Sequence, residues 1–335
     1  MSNDLKAPFV FFGGKAAVAS IVWDALGQPK HYLEPCFGSG AVLLARPDYQ
    51  PGVHIESVND ADGHLCNVWR SLQFSPDETA RWCDRPVNHA DLMARKVSII
   101  ANEGRLLDGL SKDPEFHDPK QAGYWLYSAS CWIGSGLTCP GQRPHLSDGG
   151  KGVHKLGKRP HLSDGGMGVH KPGKHCQPDI DKHVTEPYNV NLWKWFRELS
   201  ERLRYVRVVC GDWTRVCGGD WQDNMGTVGI FFDPPYSTEA GRDNNIYHKE
   251  DLSVAHAVRE WALERGDRDS YRIVLAGYFD EHKSLLDNGW TVHQWKTSGG
   301  YGKLGKGKTQ GKENRFKEAL FFSPHCLSQR QGRLL

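Results

Sequence analysis

The most constraining stretch of this chain is an apolar run, Val228 to Phe232, that ends abruptly in Asp233-Pro234-Pro235-Tyr236. A run of this composition is typical of a strand buried on both faces of a parallel sheet. Neither proline has an N–H group to donate to a neighbouring strand, so the chain must leave the sheet at Asp233. The fixed φ angles of the prolines then hold the Asp233 carboxylate, a main-chain carbonyl and the Tyr236 ring on a stiff loop.

This loop has the chemistry to hold a planar amine. A carboxylate and a carbonyl can each accept one N–H of an exocyclic NH2 group, while an aromatic face stacks on the ring that carries it. The same four residues are as typical of an ordinary proline turn, in which Asp233 has no special role. A second motif upstream favours the interpretation of this loop as a binding site over an ordinary turn.

The second motif is Glu34-Pro35-Cys36-Phe37-Gly38-Ser39-Gly40, which follows a short predicted strand that starts at His31. A strand, a glycine turn and a helix start form the βα unit that binds nucleotides. The third glycine of the dinucleotide motif is missing, and the Glu34 carboxylate would repel a pyrophosphate, so a ligand with a cationic centre is favoured. Asp60 follows the predicted strand 53–58, about 20 residues after Gly40, where an acid usually binds ribose hydroxyls. S-adenosylmethionine has both of these features, a nucleoside and a cationic centre.

Five short motifs in one order resemble the Dam-like DNA adenine-N6 methyltransferases, of the orphan or phage type. They are Phe12-Gly13-Gly14-Lys15, the 34–40 stretch, Val58-Asn59-Asp60, Cys210-Gly211-Asp212-Trp213 and the 233–236 loop. The resemblance covers roughly residues 8–70 and 205–325. It implies an α/β fold with a doubly wound, mostly parallel sheet, the class I S-adenosylmethionine-dependent methyltransferase fold, and an inserted target-recognition domain. Cys36 and Ser39 depart from the family pattern, in which an apolar residue and a third glycine are frequent.

The resemblance also implies a role for each matching residue. The catalytic residues, which hold the target base, would be Asp233, Pro234, Pro235 and Tyr236. Glu34, Gly38 and Gly40 would hold the methionine part of the cofactor, Asp60 its ribose, and Asp212 with Trp213 its adenine. The full cofactor-binding set would be Phe12, Gly13, Lys15, Glu34, Pro35, Phe37, Gly38, Gly40, Asp60, Asp212, Trp213 and Asp233.

Composition and periodicity divide the chain. We predict a catalytic domain in two parts, 1–72 and 205–325, an inserted DNA target-recognition domain at 73–204, and a tail at 326–335. Helices are predicted at 17–26, 77–110 with breaks at Pro86 and Gly104, 189–203 and 252–264. Strands are predicted at 205–209, 229–232, 271–277, 290–296 and 319–322. The strand that starts at His31 and the strand at 229–232, the first and fourth along the chain, should be neighbours at the switch point of the sheet. Cofactor and base would meet there.

Composition also excludes several classes of protein. A hydrophobic content of 39% and a charged content of 24% are typical of soluble globular proteins. No window approaches the roughly 20 apolar residues of a membrane span, and residues 1–6 are too polar to open a signal peptide. Nine cysteines without a CxxC pair predict reduced thiols. We therefore expect a cytoplasmic protein, and the resemblance implies the bacterial cytosol or nucleoid. We also expect a monomer or weak dimer with no obligatory protein partner.

A tandem repeat lies in the middle of the chain: residues 143–158 recur as 159–174 with 14 of 16 positions identical. Residues 143–175 carry seven Lys or Arg against two Asp, and 298–317 carry six against one Glu, although the whole chain has a net charge of only +2. Both segments are candidates for contact with DNA phosphates, and a solvated loop explains the repeat equally well. The candidate DNA-binding residues are Arg143, Lys151, Lys155, Lys158, Arg159, Lys171, Lys303 and Lys306.

The histidines and cysteines around the repeat do not predict a metal site, because their spacings of eight or nine residues match no standard zinc module. The large basic insertion favours double-stranded DNA as the partner over RNA or a protein glutamine. Cytosine-N4 methylation, which also modifies an exocyclic amine, stays open as an alternative, as does a DNA-binding relative that has lost its chemistry.

Neutralising Lys151, Lys155, Lys158 and Arg159 together should weaken DNA binding at every sequence, because binding to phosphates is independent of the bases. The slope of log affinity against log salt should become shallower by roughly 0.9 for each phosphate that is no longer neutralised. The measurement is affinity against salt on a methylatable duplex and on an unrelated one. Altered site preference at a constant slope would indicate base readout instead, and identical curves for both proteins would favour the solvated loop.

Overall fold

The computed structural model describes residues 5–9, 14–86, 88–132, 137–138, 190–224, 226–235, 254–295 and 318–327. Within them, seven strands form one sheet. The strands are β1 (His31–Glu34), β2 (Ile55–Asp60), β3 (Val206–Cys210), β4 (Val228–Phe232), β5 (Tyr271–Tyr278), β6 (Thr291–Gln294) and β7 (Glu318–Phe322). Their order is β3-β2-β1-β4-β5-β7-β6, and β7 runs antiparallel to both of its neighbours while the other described pairs are parallel.

The predicted α/β fold with a mostly parallel sheet is confirmed. β1 lies between β2 and β4, since His31 pairs with Ile55 on one side and with Val228 on the other. The chain therefore continues to one side of β1 with β2 and to the other side with β4, which creates a crevice at the carboxyl ends of these strands. The predicted strand at 290–296 is shorter than expected and spans Thr291–Gln294.

Helices flank the sheet. They are α1 (Ala19–Leu26), α2 (Ala41–Leu44), α3 (Gly63–Phe74), α4 (Pro76–Cys83), α5 (His89–Ala101), α6 (Glu103–Lys112), α7 (Pro119–Cys131), α8 (Val190–Leu203), α9 (Thr214–Cys217), α10 (Val254–Gly266) and α11 (Phe279–His282). Asn102 separates α5 from α6, so the predicted break at Gly104 is wrong by two residues, and Gly104 lies in the first turn of α6. Asn102 caps the end of α5, and its side-chain amide donates to the Ser98 carbonyl, 2.8 Å away.

Alternation of side chains along the strands produces two buried clusters, one on each face of the sheet. Tyr32 and Phe231 belong to the first cluster, whereas Leu33 and Phe232, their neighbours in sequence, belong to the second. The first cluster also contains apolar residues of α3, α4, α5, α7 and α8. The helices described within 73–204 therefore share a core with the sheet, and the division into a catalytic and an inserted domain stays a prediction.

A buried ion triad ties the first face together. Both oxygens of Glu56 on β2 accept hydrogen bonds from arginines: Arg46 lies 3.1 Å from Oε1, and Arg202 of α8 lies 2.6 Å from Oε2 and 3.0 Å from Oε1. The Nη2 atoms of Arg46 and Arg202 also donate to the carbonyls of Pro29 and Leu43, each at 2.8 Å. Glu56 and Arg46 are fully buried, so the triad fixes α8 against β2 with its charges paired.

The seven cysteines in the described ranges are free thiols. No helix in the same ranges is long and apolar enough to cross a membrane.

Replacing Glu56 with Gln should destabilise the protein by about 3–5 kcal/mol, because two guanidinium groups would lose their buried counter-charge. The free energy of unfolding is measured by urea titration. Asp77→Asn is the matched control: Asp77 accepts two hydrogen bonds from Arg197 at 2.7 and 3.0 Å, but both side chains are exposed. The urea midpoint of the control should change little. Equal midpoints for the two variants would contradict the role of burial.

Candidate functional site

Four carboxylates lie at or just beyond the carboxyl ends of parallel strands. Glu34 ends β1, Asp60 ends β2, Asp212 comes two residues after β3, and Asp233 comes one residue after β4. Register places them at one edge: Glu34 pairs with Val58, and Asp60 pairs with Cys210. Parallel strands of an open sheet expose their carboxyl ends to the same crevice, which is where ligands bind in this class of fold.

The glycine turn after β1 is fastened to the end of β2. Gly38 donates its N–H to Asp60 Oδ2 at 2.8 Å, and Phe37 donates its N–H to the Asn59 carbonyl at 2.9 Å. The indole of Trp69 donates to the Gly38 carbonyl at 2.9 Å. Gly38 and Gly40 have φ angles of 49° and 64°, a left-handed conformation that strongly favours glycine. The turn therefore has a fixed shape.

Asp60 is an acceptor on both carboxylate oxygens. Besides Gly38, the N–H of Asp62 donates to Oδ1 at 2.9 Å. Burial raises the pKa of Asp60 to about 6, and the charge of Asp62 adds to this shift, whereas the backbone hydrogen bonds oppose it. Each Asp60 oxygen keeps a lone pair free, so the carboxylate can accept further hydrogen bonds from a ligand.

Lys15 and Asp233 form an ion pair beside the glycine turn. The Lys15 Nζ lies 2.8 Å from Asp233 Oδ1; the lysine side chain is 4% exposed and that of Asp233 is 23% exposed. Burial raises the pKa of Asp233, and the ammonium of Lys15 opposes that rise. Lys15 therefore helps to keep Asp233 ionised in a setting that favours its protonated form.

Glu34 is more deeply buried than Asp233. It is 2% exposed, and Tyr32 donates its hydroxyl to Glu34 Oε2 at 2.8 Å. Burial raises the pKa of Glu34 well above its ordinary value, and the negative charge of Asp233 adds to the rise. The hydrogen bonds from Tyr32 and from the Leu43 backbone oppose it.

Glu318 joins this group, although no motif in the sequence marks it. It is the first residue of β7 and pairs with Tyr278 at the end of β5. Because β7 is antiparallel, its first residue lies at the edge where the parallel strands end. Burial raises the pKa of Glu318, Lys15 lowers it, and Asp233 raises it. Only knowledge of the strand order could have identified Glu318 as a residue of this edge.

Asp212 and Trp213 occupy different environments. Asp212 is exposed, and its Oδ1 accepts the N–H of Thr214 at 3.0 Å at the start of α9. Trp213 is 9% exposed and packs edge-to-face against Phe232 and Trp261, with ring centroids 6.0 and 6.2 Å apart. Most of the indole surface is therefore occupied by the second cluster, which leaves a small part for a ligand.

The other predicted residues divide into two groups. Pro35 accepts a hydrogen bond from the Asn59 side chain at 3.0 Å; Pro234, which is buried, and Pro235, which is half-buried, follow Asp233 directly. The remaining predicted site residues lie outside the described residues, namely Phe12, Gly13, Tyr236, Arg143, Lys151, Lys155, Lys158, Arg159, Lys171, Lys303 and Lys306. The structure thus brings together Lys15, Glu34, Asp60 and Asp233 around the glycine turn.

No family model matches the chain, and no curated protein matches it either.

Gly40→Ala should destabilise the protein more than Gly52→Ala. Both glycines have a positive φ, 64° and 77°, so both substitutions carry the strain of a left-handed residue, about 1–2 kcal/mol. A Cβ on Gly40 would also lie 2.7 Å from the Phe37 ring, which packs on Trp69, whereas a Cβ on Gly52 would meet open space. That crowding should add about 1–3 kcal/mol. Urea titration measures both losses of stability; equal losses would show that the turn is not tightly packed.

Proposed function

We propose that the protein transfers a methyl group from S-adenosylmethionine to the exocyclic N6 of an adenine in double-stranded DNA. The observation that best supports the proposal is the ion pair between Lys15 Nζ and Asp233 Oδ1, which are 2.8 Å apart. The pair lies at the crevice, beside the glycine turn and Asp60. The strand order supports the proposal, because β1 and β4 are neighbours at the switch point of the sheet, where we expected the cofactor and the target base to meet.

The residues present fit S-adenosylmethionine. Gly38 and Gly40 place no side chain on the turn, so a ligand can approach its backbone closely. Asp60 at the end of β2 lies where a carboxylate accepts the hydroxyls of a ribose. Glu34, Asp233 and Glu318 make the described surroundings of Lys15 acidic, which favours a cation over a pyrophosphate. When bound, the cofactor supplies an electrophilic methyl group on a sulfonium.

Asp233 and the Pro234 carbonyl bind the target amine. The adenine amine is a poor nucleophile because its lone pair is delocalised into the ring. Two acceptors that take its two N–H bonds pull the nitrogen toward tetrahedral geometry and free the lone pair. The Asp233 carboxylate performs this role only when ionised, and Lys15 favours the ionised form.

The transfer needs no strong base to remove the proton of the amine. The lone pair of N6 forms the new C–N bond, the electron pair of the broken C–S bond stays on sulfur, and the amine loses one proton toward the Asp233 carboxylate. Placement of the two reactants in line contributes most of the rate, up to about 7–11 kcal/mol in ideal cases. Proton acceptance by Asp233 adds about 10²–10⁴-fold.

Asp233→Asn should reduce methyl transfer by about 10²–10⁴-fold while affinity for the cofactor stays within a few-fold, because the cofactor lies on the glycine turn and Asp60. Labelled methyl transfer to DNA measures the rate, and nucleoside analysis identifies N6-methyladenine or, for the alternative, N4-methylcytosine. Calorimetry measures cofactor affinity. Asp269→Asn, an exposed carboxylate before β5, is the control and should behave as wild type. Loss of cofactor binding in Asp233→Asn would show that Asp233 holds the cofactor and not the target base.

A further inference from the structure

Glu34 differs from Glu56, Asp233 and Asp60 in its partners. Glu56 is paired with two arginines, Asp233 with Lys15, and Asp60 with two backbone N–H groups. The donors to Glu34 are neutral: the Tyr32 hydroxyl at 2.8 Å and the Leu43 backbone. No cation in the described part of the chain forms an ion pair with it. A buried carboxylate with neutral donors alone holds its proton unless a cation arrives.

The charged groups around Glu34 strengthen this preference. Asp233, after β4, and Glu56, on β2, both act on Glu34 as negative charges. The cations nearest to them are already engaged, Lys15 by Asp233 and the two arginines by Glu56. Tyr32, on β1, is buried with its own pKa raised, so it donates a hydrogen bond and no charge. A positive charge brought in by a ligand would therefore stabilise an ionised Glu34.

We propose that Glu34 distinguishes the methyl donor from the demethylated product, by giving up its proton when a sulfonium binds and taking a proton back when a thioether is left. This inference rests on the proposed function. Donor and product share the adenine, the ribose, the amino group and the carboxylate, so contacts through Asp60 or Asp212 cannot separate them. They differ by one methyl group and one positive charge, and a buried carboxylate without a charged partner responds to the charge.

The proton balance follows from the transfer itself. The amine loses one proton when the C–N bond forms, and the sulfur loses its positive charge when the C–S electron pair returns to it. Glu34 then no longer faces the sulfonium charge and takes one proton back from solvent, which offsets the proton released when the donor bound and restores its neutral form. The product loses an attractive partner at the moment it forms, and this favours its exchange for a new donor.

The test is calorimetry of the full-length protein with S-adenosylmethionine and with S-adenosylhomocysteine, each in two buffers of different ionisation enthalpy at about pH 7. Donor binding should release up to about one proton per site, whereas product binding should release none. The ratio of donor affinity to product affinity should rise with pH, by up to about tenfold per unit while Glu34 is protonated in the free protein.

Glu34→Gln is the decisive variant, because glutamine keeps the size and an acceptor for Tyr32 but cannot ionise. The preference for the donor should fall by roughly 10- to 10³-fold, the range that an opposite charge within 4–6 Å supplies, and the proton release should disappear. Asp212→Asn is the matched control: it is an exposed carboxylate at the neighbouring strand end. It should weaken donor and product alike, with the ratio and the proton release unchanged.

Three outcomes would overturn the inference. If the wild-type protein binds both ligands with no difference in proton release, Glu34 is a structural acceptor for Tyr32 and the start of α2, and the proposed function survives. The same conclusion follows if Glu34→Gln weakens both ligands equally. If the wild-type protein binds neither ligand, the proposed function fails and the inference fails with it. Circular dichroism of Glu34→Gln separates lost folding from lost selectivity.

Discussion

The ion pair between Lys15 and Asp233 decides how much negative charge the edge of the sheet can hold. Burial raises the pKa of Asp233, Glu34 and Glu318, so each of these groups is costly to ionise. A buried ammonium 2.8 Å from Asp233 selects that carboxylate to be charged. Glu34, which has no such partner in the described chain, is left to respond to a ligand. One lysine thus makes three neighbouring carboxyl groups differ in how readily they ionise.

The frame beneath this edge is stiff for a separate reason. The Arg46–Glu56–Arg202 triad joins β2 to α8, two elements far apart in sequence, through hydrogen bonds buried from solvent. Breaking one partner would leave uncompensated charge inside the protein, which is a stronger constraint than loss of the pair's own attraction. Because Asp60 lies on the same strand as Glu56, the triad also fixes the strand that holds the glycine turn.

The proposed reaction uses the two halves of the edge differently. Asp60 and the glycine turn offer directional hydrogen-bond acceptors and a close backbone approach, which suit the neutral nucleoside part of a ligand. Glu34 and Asp233 offer charge, which suits the sulfonium and the amine. Under the proposed function, this separation of shape recognition from charge recognition would let one pocket hold donor and product in the same place while preferring the donor.

Local sequence determined the strands, the glycine turn and the position of Asp233. Prolines cannot donate to a sheet, and left-handed glycines tolerate few substitutes, so these features depend on residues that are adjacent in the chain. The sequence also predicted that β1 and β4 are neighbours, which the pairing of His31 with Val228 confirms. Tertiary structure alone decided that Glu318 lies near Lys15, that two arginines meet Glu56, and that Trp213 packs most of its ring against Phe232 and Trp261. These contacts join residues from different strands and helices, and a burial or a charge pair exists only once the strand order has brought its members together.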